Sequence, residues 1–133
     1  MKTEKQIERD FFNFVKNSDL VTKITGKVYR NGMRPIASDK EDIIVKFLAG
    51  LDFQVQSGVV VVNIYVPDIS ISNRDVENMT RIGELQEALL SFIRDNKNSE
   101  YLIETDVTPK TLEAEEIGQH FIYSRLKFKR LAL

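Results

Sequence analysis

The sequence predicts an α+β domain with a mostly antiparallel sheet and a long central hairpin, flanked by an N-terminal helix and one long amphipathic helix. Residues 41–67 hold two runs rich in β-branched and aromatic residues, which favour a packed, pleated surface. Residues 3–17 and 74–96 carry apolar residues at helical spacing. The chain has 133 residues, the size of one ordinary domain, so we expect a single domain over residues 1–133.

Composition excludes several kinds of site and partner. The chain contains no cysteine, which rules out disulfides, thiolate zinc sites and cysteine nucleophiles. Its formal net charge of −1 gives no overall field that would attract nucleic acid or an anionic membrane. The start of the chain lacks the apolar region of a signal peptide, and the longest apolar run, residues 59–62, is far shorter than a bilayer span. We therefore expect a cytoplasmic protein, or a particle component made in the cytoplasm, without a membrane partner.

The first helix is predicted over residues 3–17, where Thr3 and Gln6 have the spacing of a capping box. A short further turn of helix should end at Gly26, and residues 27–30 should begin a strand. The apolar stripe of the helix has members at i, i+4, i+7 and i+8, namely Ile7, Phe11, Phe14 and Val15.

Residues 31–40 (NGMRPIASDK) are predicted to form a loop, because Asn-Gly, Arg-Pro and Ser-Asp all favour turns. The loop nevertheless carries two apolar residues, Met33 and Ile36. One interpretation is that both side chains dock on the core of their own domain. The other is that the loop is a contact arm for another subunit, since long loops often carry function.

The central hairpin is predicted to turn at Ser57-Gly58, which is a turn dipeptide. Gly50 indicates a bulge or bend in its first strand. Both strands are apolar on both faces, so both faces need cover. Helices can cover one face, and a partner subunit is the candidate cover for the other.

The second helix is predicted over residues 74–96, capped by Ser72 or Asn73. In the preceding linker, Ile69 and Ile71 alternate with serines, which suggests a weak extension of the sheet. The helix carries a wide apolar stripe made of Val76, Met79, Ile82, Leu85, Leu89, Leu90 and Ile93.

The last third is predicted to contain two strands, residues 101–108 and 121–129, with a turn at Pro109-Lys110 between them. The second of these strands alternates clearly between apolar and polar residues, which is typical of a half-buried strand. Residues 112–117 fit either a strand or a helical turn, and the sequence leaves both open.

His120 is the only histidine, and it follows Glu116 by four residues, a spacing that would put both on one face of a helix. Such pairs can build metal sites and general bases, which leaves a metal-assisted hydrolase as one hypothesis. Without a second histidine or a cysteine, a surface or boundary histidine is the favoured interpretation. The sequence has no glycine-rich phosphate loop and no nucleophile elbow. We therefore expect no catalytic residue, no cofactor and no metal.

Two acidic clusters have the residue type that binds Ca²⁺ or Mg²⁺. Their spacing matches no calcium-binding loop, so solvated loops are the favoured interpretation. The clusters are Asp39, Glu41 and Asp42, and Glu113, Glu115 and Glu116.

The last strand is basic on one face, where Arg125, Lys127 and Lys129 alternate with apolar residues. A nucleic-acid patch would usually add further basic side chains and stacking aromatics, and Phe121 and Tyr123 are nearby. The favoured interpretation is a solvated strand face, or salt bridges to the acidic segments. A basic ring that lines a passage for DNA is the alternative.

Three short segments carry a resemblance to a known family. Residues 20–30 (LVTKITGKVYR) lead into the first strand, residues 64–68 (IYVPD) precede the long helix, and residues 120–128 (HFIYSRLKF) form the closing basic strand. Together with the order of the elements, they resemble the small tail-completion or tail-terminator proteins of tailed phages and prophages. The likeness covers most of the chain.

The resemblance implies a structural virion protein that forms a ring, commonly sixfold, which caps the tail tube and joins it to the head-side connector. Implied partners are other copies of the chain, the tail tube protein, the connector protein and double-stranded DNA in transit. The implied location is the cytoplasm during assembly and the tail or neck of the virion afterwards. By extrapolation, Arg125, Lys127 and Lys129 would face the DNA-conducting lumen. Subunit contacts would use Met33, Arg34, Pro35, Ile36, Gln54, Gln56 and Ser57.

A different class of function stays open beside this one. A small dimeric α+β binding or regulatory module without catalysis would use the same sheet as its dimer face.

Overall fold

The structure is a computed structural model of the chain and describes residues 1–52 and 55–131. Within these residues the helices are α1 (Glu4–Lys16) and α2 (Met79–Asp95), and two short 3₁₀ turns lie at Asp19–Lys23 and Glu115–Ile117. The strands are β1 (Val28–Arg30), β2 (Ile43–Asp52), β3 (Gln56–Pro67), β4 (Ile69–Ile71), β5 (Arg74–Val76), β6 (Tyr101–Ala114) and β7 (Gln119–Arg130).

The main sheet has five strands in the order β1-β2-β3-β7-β6. Only the short β1 runs parallel to its neighbour; the other pairs in this sheet are antiparallel. Strands β4 and β5 form a separate small hairpin. The predicted α+β class with a mostly antiparallel sheet and a long central hairpin is therefore confirmed.

Helix α1 begins where the sequence predicts, because its cap is a local feature. The Thr3 hydroxyl accepts from the Gln6 N–H, and the Gln6 side chain accepts from the Thr3 N–H, so the capping box closes in both directions. Ile7, Phe11 and Val15 are fully buried beneath the helix. Phe11 packs edge-on against Tyr101 of β6, with their ring centroids 5.2 Å apart.

Both helices lie on the same face of the sheet. Their buried side chains form one core cluster with Val60, Val62 and Ile64 of β3 and with Ile122 and Leu126 of β7. Side chains alternate across a strand, so the residues between these point to the opposite face. Among the described residues that opposite face carries neither helix, and we call it the open face.

The predicted hairpin turn at Ser57-Gly58 is wrong. Leu51 pairs with Ser57 and Gly50 pairs with Gly58, so both residues lie inside the ladder and the strands continue beyond them. Glycine is needed at position 58 for packing, since a Cβ there would collide with the Ala49 carbonyl oxygen. The bulge expected near Gly50 lies slightly earlier, between Phe47 and Ala49.

The second helix begins later than predicted. Residues 69–76 instead form the β4–β5 hairpin, whose turn residues Ser72 and Asn73 have φ values of 52° and 62°. Asn tolerates this left-handed conformation better than most residues. Helix α2 begins at Met79, and the Asn78 side chain caps it by accepting from the Arg81 N–H.

The turn predicted at Pro109-Lys110 is also wrong, because β6 runs through it to Ala114. The ladder between β6 and β7 is irregular from Val107 to Lys110. Proline is compatible with this site because β6 is an edge strand and the irregularity needs no N–H there. Residues 112–117, which the sequence left open as strand or helical turn, contain both: β6 ends at Ala114, and the 3₁₀ turn Glu115–Ile117 follows.

Candidate interaction surface

The open face mixes apolar and charged side chains over four strands. In its centre Val61 is buried, and it pairs in register with Lys46 on one side and Arg125 on the other. Beside it, the buried Asn63 Oδ1 accepts no hydrogen bond from the described residues. Register places these residues on the open face: Ile44, Lys46, Leu51, Ser57, Val59, Val61, Asn63, Tyr65, Leu102, Glu104, Lys110, Leu112, Phe121, Tyr123, Arg125, Lys127 and Lys129.

Acidic side chains of β6 face the basic stripe of β7. Arg125 Nε lies 3.2 Å from Asp106 Oδ2, and Lys127 Nζ lies 3.5 Å from Glu104 Oε2. Lys129 forms no ion pair among residues 1–52 and 55–131. Two of the three residues predicted to face DNA therefore have their charge offset within the same subunit.

A groove of about 490 Å³ opens on this face at the end where the central hairpin turns. Its apolar wall includes Leu51, Val59 and Leu102, and its charged rim includes Glu104 and Lys129. Leu51 is 61% exposed and Leu102 is 46% exposed. The groove therefore has a solvent-exposed apolar wall and a rim that carries both acidic and basic side chains. We call it the open-face groove.

The 31–40 loop is held in place by Arg34, whose side chain is only 9% exposed. Its Nε donates to Asp42 Oδ2 at 2.9 Å, and its Nη2 donates to Gln119 Oε1 at 2.9 Å and to the Lys40 carbonyl at 3.1 Å. The guanidinium also lies 4.4 Å from the ring centroid of Tyr65. The loop is thus anchored to the opposite end of the open face.

The buried carboxylate of Asp42 is the acceptor around which this loop is organised. Burial alone would raise its pKa, but hydrogen bonds from the Ser38 hydroxyl, the Arg34 guanidinium and the Lys27 N–H outweigh burial and lower the pKa. The expectation of a solvated loop is wrong for Glu41 and Asp42, which are both buried, while Asp39 is exposed. Ser38 and Arg34 belong to the loop and Lys27 precedes β1, so the carboxylate joins the loop to the segment before β1.

The anchored loop exposes its two apolar side chains. Met33 is 67% exposed and Ile36 is 97% exposed, so the interpretation that both dock on their own core is wrong. Pro35 is also exposed. The Arg34 side chain, by contrast, is engaged in hydrogen bonds within its own subunit.

The loop and the groove lie at opposite ends of the sheet. Tyr65, which Arg34 covers, and Ser57, which lines the groove, are eight residues apart on β3, or about 26 Å at roughly 3.3 Å per residue. Of the other predicted contact residues, Gln56 points to the helix side, where its amide donates to the Lys2 carbonyl at 2.7 Å. Gln54 lies outside the described residues.

A cluster of charged side chains beside Gln56 joins the N-terminus to the last two strands, β6 and β7. Lys2 Nζ lies 2.6 Å from Asp10 Oδ2 and 2.8 Å from Glu100 Oε2, and Arg130 Nε lies 2.7 Å from the same Glu100 oxygen. Hydrogen bonds from Lys2 and Arg130 lower the pKa of Glu100. These contacts are internal and leave the open face free.

The structure gives no support to the hypothesis of a metal or catalytic site built from Glu116 and His120. His120 Nδ1 lies 2.6 Å from Asp68 Oδ1, while Glu116 lies in the 3₁₀ turn. A hydrogen bond with Glu113 raises the pKa of Glu115. In the part of the chain that the structure describes, no group of three or more His, Cys, Asp or Glu side chains is arranged to hold a metal ion.

Comparisons with known proteins assign no family. No protein-family model matches the chain, and no curated protein matches it. Neither described helix is long and apolar enough to cross a membrane.

Sequence reasoning missed a buried ion pair that joins helix α1 to strand β1. Glu8 is buried, Arg30 Nε donates to its Oε1 at 3.1 Å, and the Phe47 N–H donates to its Oε2 at 3.1 Å. A signal was present, since Glu8 precedes Phe11 by three residues and Val15 by seven. This spacing puts a charge on the apolar stripe, and such a charge requires a partner.

Proposed function

We propose that this protein is a structural assembly component that joins copies of itself through its open face, as a phage or prophage tail-terminator-like, ring-forming protein. One observation carries the proposal: both described helices cover the same face of the five-stranded sheet, while the other face exposes apolar side chains such as Leu51 and Leu102 among its charged ones. A second subunit is the simplest cover for that face.

Energetics favour covering the open face. Apolar surface removed from water contributes about 25 cal/mol per Å², and Leu51 and Leu102 expose such surface on this face. The formal net charge of −1 adds little repulsion between copies.

The resemblance noted in the sequence supplies the finer part of the proposal. In a tail-terminator role, the ring would cap the tail tube and bind the head-side connector. We assign Arg125 and Lys127 to the subunit surface rather than to a DNA-facing lumen, because Asp106 and Glu104 offset their charges. DNA would therefore move through the ring without binding to Arg125 and Lys127.

An isologous dimer is the second candidate, and the charge pattern of the open face favours it. The acidic residues of β6 lie beside the basic residues of β7. In a dimer with a twofold axis, the acidic residues of one copy could face the basic residues of the other copy. This arrangement corresponds to a small binding or regulatory module.

A matched pair of substitutions tests the role of the open face. We expect Leu102→Glu to abolish self-association, because it places a charge in the apolar wall of the open-face groove. Met79→Glu is the control, since Met79 is 72% exposed on the helix side. Sedimentation velocity at matched concentrations measures the result, and circular dichroism checks folding. Equal self-association of both variants would contradict the proposal.

A further inference from the structure

We propose that the subunits join head to tail, with Met33 and Ile36 of one copy inserted into the open-face groove of the next copy. This inference rests on the proposed self-assembly and names the two surfaces that meet. The groove's occupant is thus a segment of a second copy of this chain.

The first support is that the loop presents its apolar side chains from a fixed base. Arg34 binds Asp42, Gln119 and the Lys40 carbonyl, and the Met33 N–H donates to the Arg30 carbonyl at 3.0 Å. Ile36 is nevertheless 97% exposed. A pre-ordered loop loses little conformational entropy when it binds, so its apolar contacts contribute more fully to affinity.

The second support is the apolar wall of the groove. Leu51, Val59 and Leu102 come from three different strands and line one concave surface. A volume of about 490 Å³ falls in the range of pockets that accept compact apolar groups. The exposed apolar side chains of Met33 and Ile36 match the apolar character of this groove.

The third support is charge complementarity at the rim. Asp39 lies three residues after Ile36 and is exposed, and Lys129 lines the groove and is exposed. Neither side chain forms an ion pair among the described residues. A head-to-tail contact would set the Asp39 carboxylate of one copy near the Lys129 ammonium of the next.

The fourth support is the separation of the two surfaces. Tyr65, which the loop residue Arg34 covers, and Ser57, which lines the groove, lie about 26 Å apart along β3. A contact between different surfaces of identical subunits is heterologous, so each copy keeps one free loop and one free groove until the chain of subunits closes. This geometry yields a ring where the rotation closes.

Complementation between two defective variants tests the inference. Ile36→Asp keeps an intact groove, and Leu102→Asp keeps an intact loop. We expect each variant alone to be monomeric, and an equimolar mixture to form a heterodimer that grows no further. Native mass spectrometry resolves the three species by mass.

A charge exchange tests the rim contact separately. We expect Asp39→Lys or Lys129→Asp alone to raise the dissociation constant about fivefold or more. The double exchange should restore most of the lost affinity. Lys97→Asp is the control, because it makes the same charge change on the helix side.

The outcomes distinguish this inference from the proposed function. If the wild type assembles but the mixture of Ile36→Asp and Leu102→Asp gives no heterodimer, the head-to-tail contact is overturned while self-assembly stands. If the wild type is monomeric at every concentration, both are overturned.

Discussion

At the scale of single residues, Arg34 and Asp42 determine whether the 31–40 loop has a defined shape. The pair is buried, with 2.9 Å between Nε and Oδ2. Removal of one partner from a buried ion pair leaves an uncompensated charge, which costs far more than the intact pair contributes. Lysine cannot replace Arg34, since a single ammonium cannot reach Asp42, Gln119 and the Lys40 carbonyl together.

We expect Arg34→Ala to lower the free energy of unfolding by about 3 kcal/mol, because it leaves the Asp42 carboxylate buried without its charge partner. Arg34→Lys should recover only part of this loss. Arg94→Ala is the control, since Arg94 is exposed on α2, and it should leave stability near that of the wild type. Urea unfolding measures all three. A wild-type midpoint for Arg34→Ala would show that the pair does not hold the loop.

Asp42 also predicts a pH dependence. Its pKa is lowered in the folded protein, so its contribution to stability is fully present above the unfolded value of about 3.9 and is lost as pH falls through the folded value. We expect Asp42→Asn to be clearly less stable than the wild type at neutral pH and to approach it below about pH 4. Urea midpoints from neutral to strongly acidic pH measure the difference. A difference that is constant with pH would contradict the assignment.

At the scale of elements, close packing of β2 on β3 depends on Gly58. A Cβ at this position would meet the Ala49 carbonyl oxygen, with the Phe128 ring 3.0 Å away. We expect Gly58→Ala to destabilise the fold by about 1–3 kcal/mol through overpacking. Gly83→Ala should instead stabilise it by about 0.5–1 kcal/mol, because nothing lies within 4 Å of its added Cβ in helix α2. Thermal unfolding of the two variants should move in opposite directions.

The elements that the sequence predicts well are those defined by local signals. The capping box at Thr3 and the alternation in β7 need only neighbouring residues, and both are confirmed. The turns failed because long-range pairing overrode local preference. Ser57-Gly58 reads as a turn, yet pairing with Leu51 and Gly50 keeps it in the ladder. At Ser72 and Asn73, two left-handed residues replace the helix cap that the sequence favoured.

The candidate surface was only partly predictable for the same reason. The two-sided apolar character of β2 and β3 is visible in the sequence, and it predicts that the second face needs cover. The open-face groove is not visible there, because Leu51, Val59 and Leu102 meet only through the strand order β2-β3-β7-β6. The internal role of Arg34 likewise depends on Gln119, which is 85 residues away in the chain.

At the scale of the whole molecule, the protein has two layers and two unlike ends. Helices cover one face of the sheet, and the other face has an anchored loop at one end and an apolar groove at the other. This asymmetry favours repeated head-to-tail contacts over a twofold contact. Assembly should depend on concentration, because each new contact between subunits must overcome the loss of translational and rotational freedom.

Native mass spectrometry across a concentration series, with negative-stain images of the same samples, tests self-assembly through the open face most directly. We expect a closed oligomer of more than two copies that grows in abundance with concentration and appears as a ring. A monomer at every concentration would contradict self-assembly, and a strict dimer would contradict the ring and favour the dimeric module.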